Sequence, residues 1–171
     1  MQLNKNIKKF AVIGHPIGHS LSPIMHNASM KSLGYNGIYS ALDVPPDDLI
    51  NTLYSMRDSD FIGVNLTVPH KEVAYHQLDL LDDSAKLFKS VNTVHFSDKG
   101  LMGYNTDGVG FLKALEESFG LIQNKNVFVL GCGGAGRTVA LQMAINGIER
   151  ICLADVNNEK LIKLSNELKN I

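Results

Sequence analysis

Two short runs hold residues able to move a proton. Gly63-Val64-Asn65-Leu66-Thr67-Val68-Pro69-His70-Lys71 ends in a lysine, and Gly103-Tyr104-Asn105-Thr106-Asp107-Gly108 carries an aspartate. Each reads as a strand that finishes in polar residues and then opens a helix. Side chains at the carboxyl end of a parallel strand project into the crevice where α/β proteins bind ligands. A lysine and an aspartate brought together there can hold a hydroxyl and exchange its proton, which is the acid/base half of interconverting an alcohol and a ketone. The ordinary alternatives are a solvated helix lysine for Lys71 and a helix N-cap for Asp107, although an aspartate can cap and bind at once.

The elements that must position these residues alternate short apolar runs with helical patterns, which predicts an α/β fold. Residues 9–14, 37–44 and 61–67 read as strands. Residues 91–97 and 101–105 read as a hairpin around Asp98-Lys99-Gly100. A helix is expected from Ser22, with Ser22 as N-cap, Pro23 at the first helical position, and Ile24, Met25, Ala28 and Leu33 on its buried face. Others are expected at 45–56, from Pro69, and within 79–90. Asp107 should cap a longer helix, with Phe111, Leu112, Leu115 and Phe119 at helical spacing and Gly120 closing it. The pattern then restarts, with strands at 125–130 and 150–155 and helices at 137–146 and 157–170. The expected division is a substrate-binding α/β domain with a mixed sheet over residues 1–106, followed over 107–171 by a linker helix and the first half of a Rossmann-type dinucleotide-binding domain. Only two strands follow residue 125, where a mononucleotide-binding half takes three and a full dinucleotide fold six. The second domain is therefore expected to be incomplete.

Gly131-Cys132-Gly133-Gly134-Ala135-Gly136 fits G-x-G-x-x-G, and it sits after an apolar strand and before a helix, the context that gives the pattern meaning. Gly131 permits the tight turn, Gly133 lets backbone approach a pyrophosphate, and Gly136 lets helix and strand pack closely. The helix N-terminus that follows offers free N–H groups to an anion, with Gly134 and Ala135 in the loop that leads into it. Asp155 ends the next strand at the distance expected of an acid that bonds ribose hydroxyls. A carboxylate accepts from a 2′-hydroxyl but repels a 2′-phosphate, and no arginine follows in Val156-Asn157-Asn158-Glu159-Lys160, so the residues lean toward NAD over NADP. Cys132 reads as a small spacer, in preference to a thiol activated by the helix start.

On the substrate side, Ser20-Leu21-Ser22-Pro23 puts two hydroxyls at a helix start, suited to a polyol or carboxylate ligand. Ser22 has capping as a structural duty and Ser20 has none. Asn65 and Thr67, Asn92 and Thr93, and Asn105 and Thr106 add short polar side chains at strand ends. Six histidines raise the question of a metal, but no His-x-x-x-His pair lies on a helix with a flanking carboxylate; His15 and His19 share a loop with no third ligand evident, and no metal is expected. His70 and His76 are expected on a helix face at or near water.

Bulk properties narrow the partners. The 171 residues are 44% hydrophobic, enough for one ordinary core or two small ones. A net charge of −1 gives no field to attract nucleic acid or a membrane surface. No apolar run approaches the roughly 20 residues of a spanning helix, and the first ten residues lack the apolar stretch of a secretory signal. Cys132 and Cys152 make no disulfide framework, and a cytoplasmic protein is expected. The oligomeric state stays open, with a homodimer as one outcome.

Taken with their order, these runs resemble the shikimate dehydrogenase family, which includes the quinate/shikimate dehydrogenases. The residues that carry the resemblance are Gly14-His15-Pro16-Ile17-Gly18-His19-Ser20-Leu21-Ser22-Pro23, the Lys71 and Asp107 runs, Val91-Asn92-Thr93 and the Gly131–Gly136 loop. The resemblance implies reversible hydride transfer between 3-dehydroshikimate and shikimate, usually with NADP. It implies that Ser20 and Ser22 bind the substrate carboxylate, that Thr67, Asn92 and Asp107 bind ring hydroxyls, and that Lys71 is the catalytic acid/base beside Asp107. The chain departs from the family in Asp155-Val156, where NADP-using members carry Asn-Arg, and in Lys89-Ser90, where Gly-Ala is usual. The family's C-terminal third, with a substrate-binding glutamine and nicotinamide contacts, has no counterpart. Competing expectations are a quinate/shikimate dehydrogenase that prefers NAD, a module that binds ligand without turnover, and another Rossmann enzyme such as a methylenetetrahydrofolate dehydrogenase, against which the Ser-Leu-Ser-Pro run argues.

Overall fold

The computed structural model describes residues 7–171. These divide into two compact units, the first running to Asn105 and the second Thr106–Ile171. In the first, the strands β1 (Lys8–Gly14), β2 (Gly37–Asp43) and β3 (Phe61–Leu66) run parallel with β1 in the middle. The hairpin β5 (Thr93–Ser97) and β6 (Gly100–Tyr104) adds to β3, with β5 antiparallel to both of its neighbours. A two-residue strand, β4 (Leu80–Leu81), pairs parallel to β6 and completes the mixed sheet in the order β2-β1-β3-β5-β6-β4. β4 was not expected; two residues are too short to show a period of two.

Side chains alternate across a strand, so the sheet has two chemically different faces. One carries Ala11, Ile13, Val64, Leu66 and Val94 into the main core. The helices α2 (Leu49–Arg57), α3 (His70–Gln77) and α4 (Asp83–Phe88) meet it with Leu49, Leu53, Ala74 and Ala85, all fully buried. Leu49 and Leu53 stand one turn apart, and each contributes about 1.5–3 kcal/mol by leaving water. The other face carries Phe10, Val12, Tyr39, Asn65 and Thr93. It has only a small apolar cluster of Val12, Ile17 and Tyr39, with Phe10 and Met30 packed against it.

The helix α1 (Ser22–Ser32) covers that second face, but not with the side expected. Ile24, Met25 and Leu33 are 70%, 59% and 81% exposed, and Ala28 is exposed too. His26, Asn27 and Met30 face inward instead. Asn27 donates from Nδ2 to the Tyr39 carbonyl at 2.8 Å and accepts the Tyr39 N–H on Oδ1 at 2.9 Å. The physical reason lies in β2, which is an edge strand with unpaired backbone groups. An asparagine satisfies both groups of Tyr39, and that need outweighs burial of the helix's own apolar stripe.

In the second unit α5 (Asp107–Phe119) precedes two parallel strands, β7 (Asn126–Leu130) and β8 (Arg150–Ala154), joined through α6 (Gly134–Ile145) and followed by α7 (Asn158–Leu168). Met143 and Leu164 are buried, and an Arg137–Glu167 ion pair at 2.7 Å ties α6 to α7. Phe128 and Leu130, on one face of the strand pair, stay 67% and 80% exposed. Gly120 ends α5 with φ 76°. No described helix is long and apolar enough to cross a membrane.

Candidate active site

Strand direction gathers the polar residues. β1, β3 and β6 all run the same way, so their carboxyl ends share one edge of the sheet. β5 runs oppositely, so its beginning lies at that edge. Thr67 after β3, Asn92 before β5 and Asn105 after β6 therefore meet there. Backbone bonds lock the edge: Thr67 N donates to Ile13 O at 2.9 Å, His15 N to Val68 O at 3.2 Å, and Asn92 N to Tyr104 O at 3.0 Å. Lys71 is the second residue of α3, and its carbonyl accepts the Val91 N–H at 2.9 Å, which seats it beside Asn92. Asn105 is buried and spans the edge, donating from its side chain to Ser90 O at 3.1 Å.

The loop between β1 and α1 brings the serines to the same end of the sheet. The expected roles of the two are exchanged. Ser22 makes no capping bond; it is the first helical residue, and the Ser20 hydroxyl accepts its N–H at 3.3 Å. The helix begins one residue earlier than the sequence pattern suggested, with Leu21 at the N-cap position. Asp43, at the end of β2, holds the loop's other half. Its carboxylate accepts from Ile17 N at 3.1 Å and meets His15 Nδ1 at 2.6 Å. The bond to His15 and then that to Ile17 hold the Asp43 carboxyl below the usual range.

Four side chains link across the sheet under this edge. Tyr39 hydroxyl donates to Asn65 Oδ1 at 2.6 Å, Asn65 Nδ2 donates to Thr93 Oγ1 at 3.1 Å, and Thr93 Oγ1 donates to Asn92 Oδ1 at 3.0 Å. The His26 ring stacks on Tyr39 at 4.3 Å. Burial pushes the Tyr39 phenol up to about 12, so it remains a donor through the neutral range. Sequence reading singled out Asn65 and Thr93 but not Tyr39, which looks like an ordinary strand aromatic. Polar residues facing each other in two apolar strands, as Asn65 and Thr93 do in register, were the signal of a partner.

His70 was expected near water and is fully buried. Its place as first residue of α3 turns the ring inward, against the backbone of Gly14 and Val44. Neither ring nitrogen makes a hydrogen bond of good geometry. Burial lowers its pKa, an effect that the neighbouring Val44 and Gly14 backbones and Asp43 partly oppose. The unfolded chain therefore takes up a proton near the ordinary value of about 6.5 while the folded one resists it. Stability is held above that pH and lost as pH falls toward the folded pKa. His70→Phe should hold or raise the melting temperature at pH 5 and flatten its fall below about pH 6.5; a melting series from pH 8 to 5 checks it.

The second unit carries the glycine loop and Asp107. Asp107 is the first residue inside α5, where its charge suits the helix start; Thr106 is the N-cap position and makes no side-chain cap. Gly131 has φ 99°, and a Cβ on Gly136 would lie 1.8 Å from Gly131 O, so turn and helix start touch. A Cβ on Gly133 would meet nothing within 4 Å, and Gly133, at the N-cap, leaves the first α6 N–H groups uncapped by any side chain. Open space over uncapped N–H groups is what a pyrophosphate requires. Asp155 folds back on this loop, accepting from Cys132 N and from Asn157 N at 2.7 Å. Those two bonds, from Asn157 and then Cys132, hold its carboxyl low, and each oxygen keeps a lone pair for a ribose hydroxyl. Burial and then the Asp155 charge push the Cys132 thiol up, which agrees with the spacer reading.

Comparison with known proteins adds a family to this geometry. The family model described as "Shikimate dehydrogenase substrate binding domain" matches residues 12–94. A shikimate dehydrogenase (NADP(+)) of Methanopyrus kandleri is 44% identical over 92% of this chain and 55% of its own length. A crystal structure of a shikimate dehydrogenase in complex with NADP+ superposes with a TM-score of 0.91 at 40% identity, covering 98% of this chain and 57% of that one. The Listeria monocytogenes shikimate 5-dehydrogenase in complex with shikimate and NAD is 31% identical, with a TM-score of 0.89 over 99% of this chain and 60% of that one. The chain thus spans little more than half the length of the curated relatives it matches.

Proposed function

Since the chain belongs to the shikimate dehydrogenase family, we propose that it serves a nicotinamide-dependent oxidoreductase that interconverts 3-dehydroshikimate and shikimate, a step of aromatic amino acid biosynthesis. In this reading residues 1–106 form the substrate-binding domain, and residues 107–171 form the connecting helix and the first part of the dinucleotide-binding domain. The observation that carries the reading is the convergence of Thr67, Asn92, Lys71 and the Ser20 loop on one edge of the mixed sheet. Ser20 and Ser22 take the carboxylate, while Thr67, Asn92 and Asp107 take ring hydroxyls. The free thiols of Cys132 and Cys152 suit a reducing cytoplasm.

Gly131, Gly133, Gly134, Ala135, Gly136 and Asp155 would hold NADP or NAD, whose nicotinamide supplies or accepts the hydride. Lys71 does the proton work. During reduction negative charge grows on the substrate oxygen; the Lys71 ammonium stabilises that charge and delivers a proton from Nζ. During oxidation the same nitrogen takes the proton back. Asp107 accepts from the hydroxyl that reacts or its neighbour and orients it toward Lys71.

The test is calorimetric titration of the chain with shikimate, NADP and NAD separately. Shikimate should bind, quinate should bind more weakly, and NAD should compete with NADP on roughly equal terms or better, because a carboxylate such as Asp155 accepts from a 2′-hydroxyl and repels a 2′-phosphate. No binding of shikimate or of either dinucleotide would sink the reading. Binding with no change in nicotinamide absorbance on mixing all components would favour a ligand-binding module.

A further inference from the structure

We propose that Tyr39, Asn65 and Thr93 form a one-way hydrogen-bond chain that fixes the Asn92 carboxamide with its N–H groups turned to the substrate. The inference rests on the reading of Asn92 as a ligand to a ring hydroxyl, and it names three positioning residues that the reading itself does not require.

The direction follows from acceptors that cannot donate. The main-chain carbonyl of Asn92 accepts from Leu66 N at 2.8 Å and lies 3.4 Å from Asn65 Nδ2. A carbonyl has no proton to give, so the Asn65 atom facing it must be the amide nitrogen; a flipped amide would set two oxygens against each other. Asn65 Oδ1 therefore points the other way, at Tyr39, whose hydroxyl must donate. The second Asn65 N–H goes to Thr93 Oγ1. Thr93 Oγ1 accepts that bond and gives its single proton to Asn92 Oδ1 at 3.0 Å. Asn92 Oδ1 is held on the protein side, and its Nδ2 takes the opposite corner of the amide by covalent geometry. An asparagine amide otherwise has two nearly isosteric orientations, one presenting donors and one an acceptor. Here the sheet selects the donor, which matches an oxygen that accepts and rejects a ligand group that only donates, such as an ammonium.

The chain is buried at its two ends, Tyr39 and Asn92, half-buried at Asn65 and Thr93, and short in each step, so it can hold a preference. Asn65 and Thr93 are cross-strand partners in register, and Tyr39 reaches over β1 from β2 under the stacked His26 ring.

Thr93→Val removes the hydroxyl with little change of shape. Shikimate affinity, measured by calorimetry on the chain, should fall about five- to tenfold. Thr93→Ser should restore it to within about twofold. In an Asn92→Ala background Thr93→Val should cost nothing further, because there is no amide left to orient. Tyr39→Phe, which keeps the His26 stack, should weaken binding by a smaller factor that also vanishes in the Asn92→Ala background. Equal losses with and without Asn92, failure of serine to rescue, or wild-type affinity in Thr93→Val would overturn the inference while leaving the functional reading intact. Absence of shikimate binding by the unsubstituted chain would instead remove the functional reading, and the inference with it.

Discussion

On the proposed function, Lys71→Ala in a full-length enzyme carrying this chain should lower the turnover of 3-dehydroshikimate by about two to four orders of magnitude, the range carried by a positioned general acid, while shikimate still binds within a few-fold. The reason is differential. A neutral ground-state ketone gains little from an ammonium, whereas the oxygen of the transition state carries charge that only a nearby cation relieves. Lys71→Arg separates the two parts of the role, since arginine keeps the charge but cannot give up its proton near neutrality. It should retain affinity and recover only part of the lost rate. The measurement is nicotinamide absorbance under saturating substrate, paired with a binding titration of each variant. A Lys71→Ala protein that turns over at near the original rate would return Lys71 to the class of solvated helix lysines. The seating of Lys71 bears on the size of the effect: its carbonyl holds Val91 N, so side-chain removal leaves the Asn92 edge in place.

Periodicity made the architecture legible because burial is periodic. Apolar runs marked every strand longer than two residues, and Gly120 and the glycine loop stand where chain reversals and close contacts need them. What escaped were groups whose placement depends on a hydrogen-bond partner distant in sequence. α1 shows its apolar stripe to water because Asn27 is needed at the edge of β2, a demand invisible in the helix's own pattern. His70 is a polar residue beside a lysine, and only the turn at the end of β3 decides that it goes inward. Ser20 and Ser22 exchange duties because capping is settled by one residue of register.

The candidate site was legible residue by residue and illegible as a network. Thr67, Asn92 and Lys71 could be picked out because short polar side chains at strand ends have few other reasons to be there. Asp43 and Tyr39 could not, since an acid after a strand and an aromatic within one are common for bland reasons. Their roles come from partners 26 residues away, Asp43 with Ile17 and Tyr39 with Asn65. Cofactor choice shows the same limit. Asp155 argues for NAD by its charge, yet one of its oxygens also binds the glycine loop at Cys132 N and the other binds Asn157 N ahead of α7, so its presence has a structural reason as well.

Gly136→Ala and Gly133→Ala should both abolish dinucleotide binding, but only the first should disturb the fold. At Gly136 a Cβ would sit 1.8 Å from Gly131 O and 2.9 Å from Gly131 C, both backbone atoms that cannot swing aside as a side-chain end can. The loop or α6 must shift. Overpacking of this kind costs about 1–3 kcal/mol, a fall of roughly 2–10 °C in melting temperature for a chain of this size. The shift also misplaces the N–H groups that would face a pyrophosphate. At Gly133 the added methyl meets no protein atom within 4 Å, so melting should stay within about a degree of the original. That same methyl occupies the space through which phosphate oxygens approach the helix start, and binding should be lost by steric exclusion alone. Thermal melting with and without NADP distinguishes the two. Original protein should be stabilised by the dinucleotide, Gly133→Ala should melt normally and ignore it, and Gly136→Ala should melt early and ignore it. Stabilisation of Gly133→Ala by NADP would mean that the phosphates lie elsewhere, and the glycine loop would then be only a tight turn between β7 and α6.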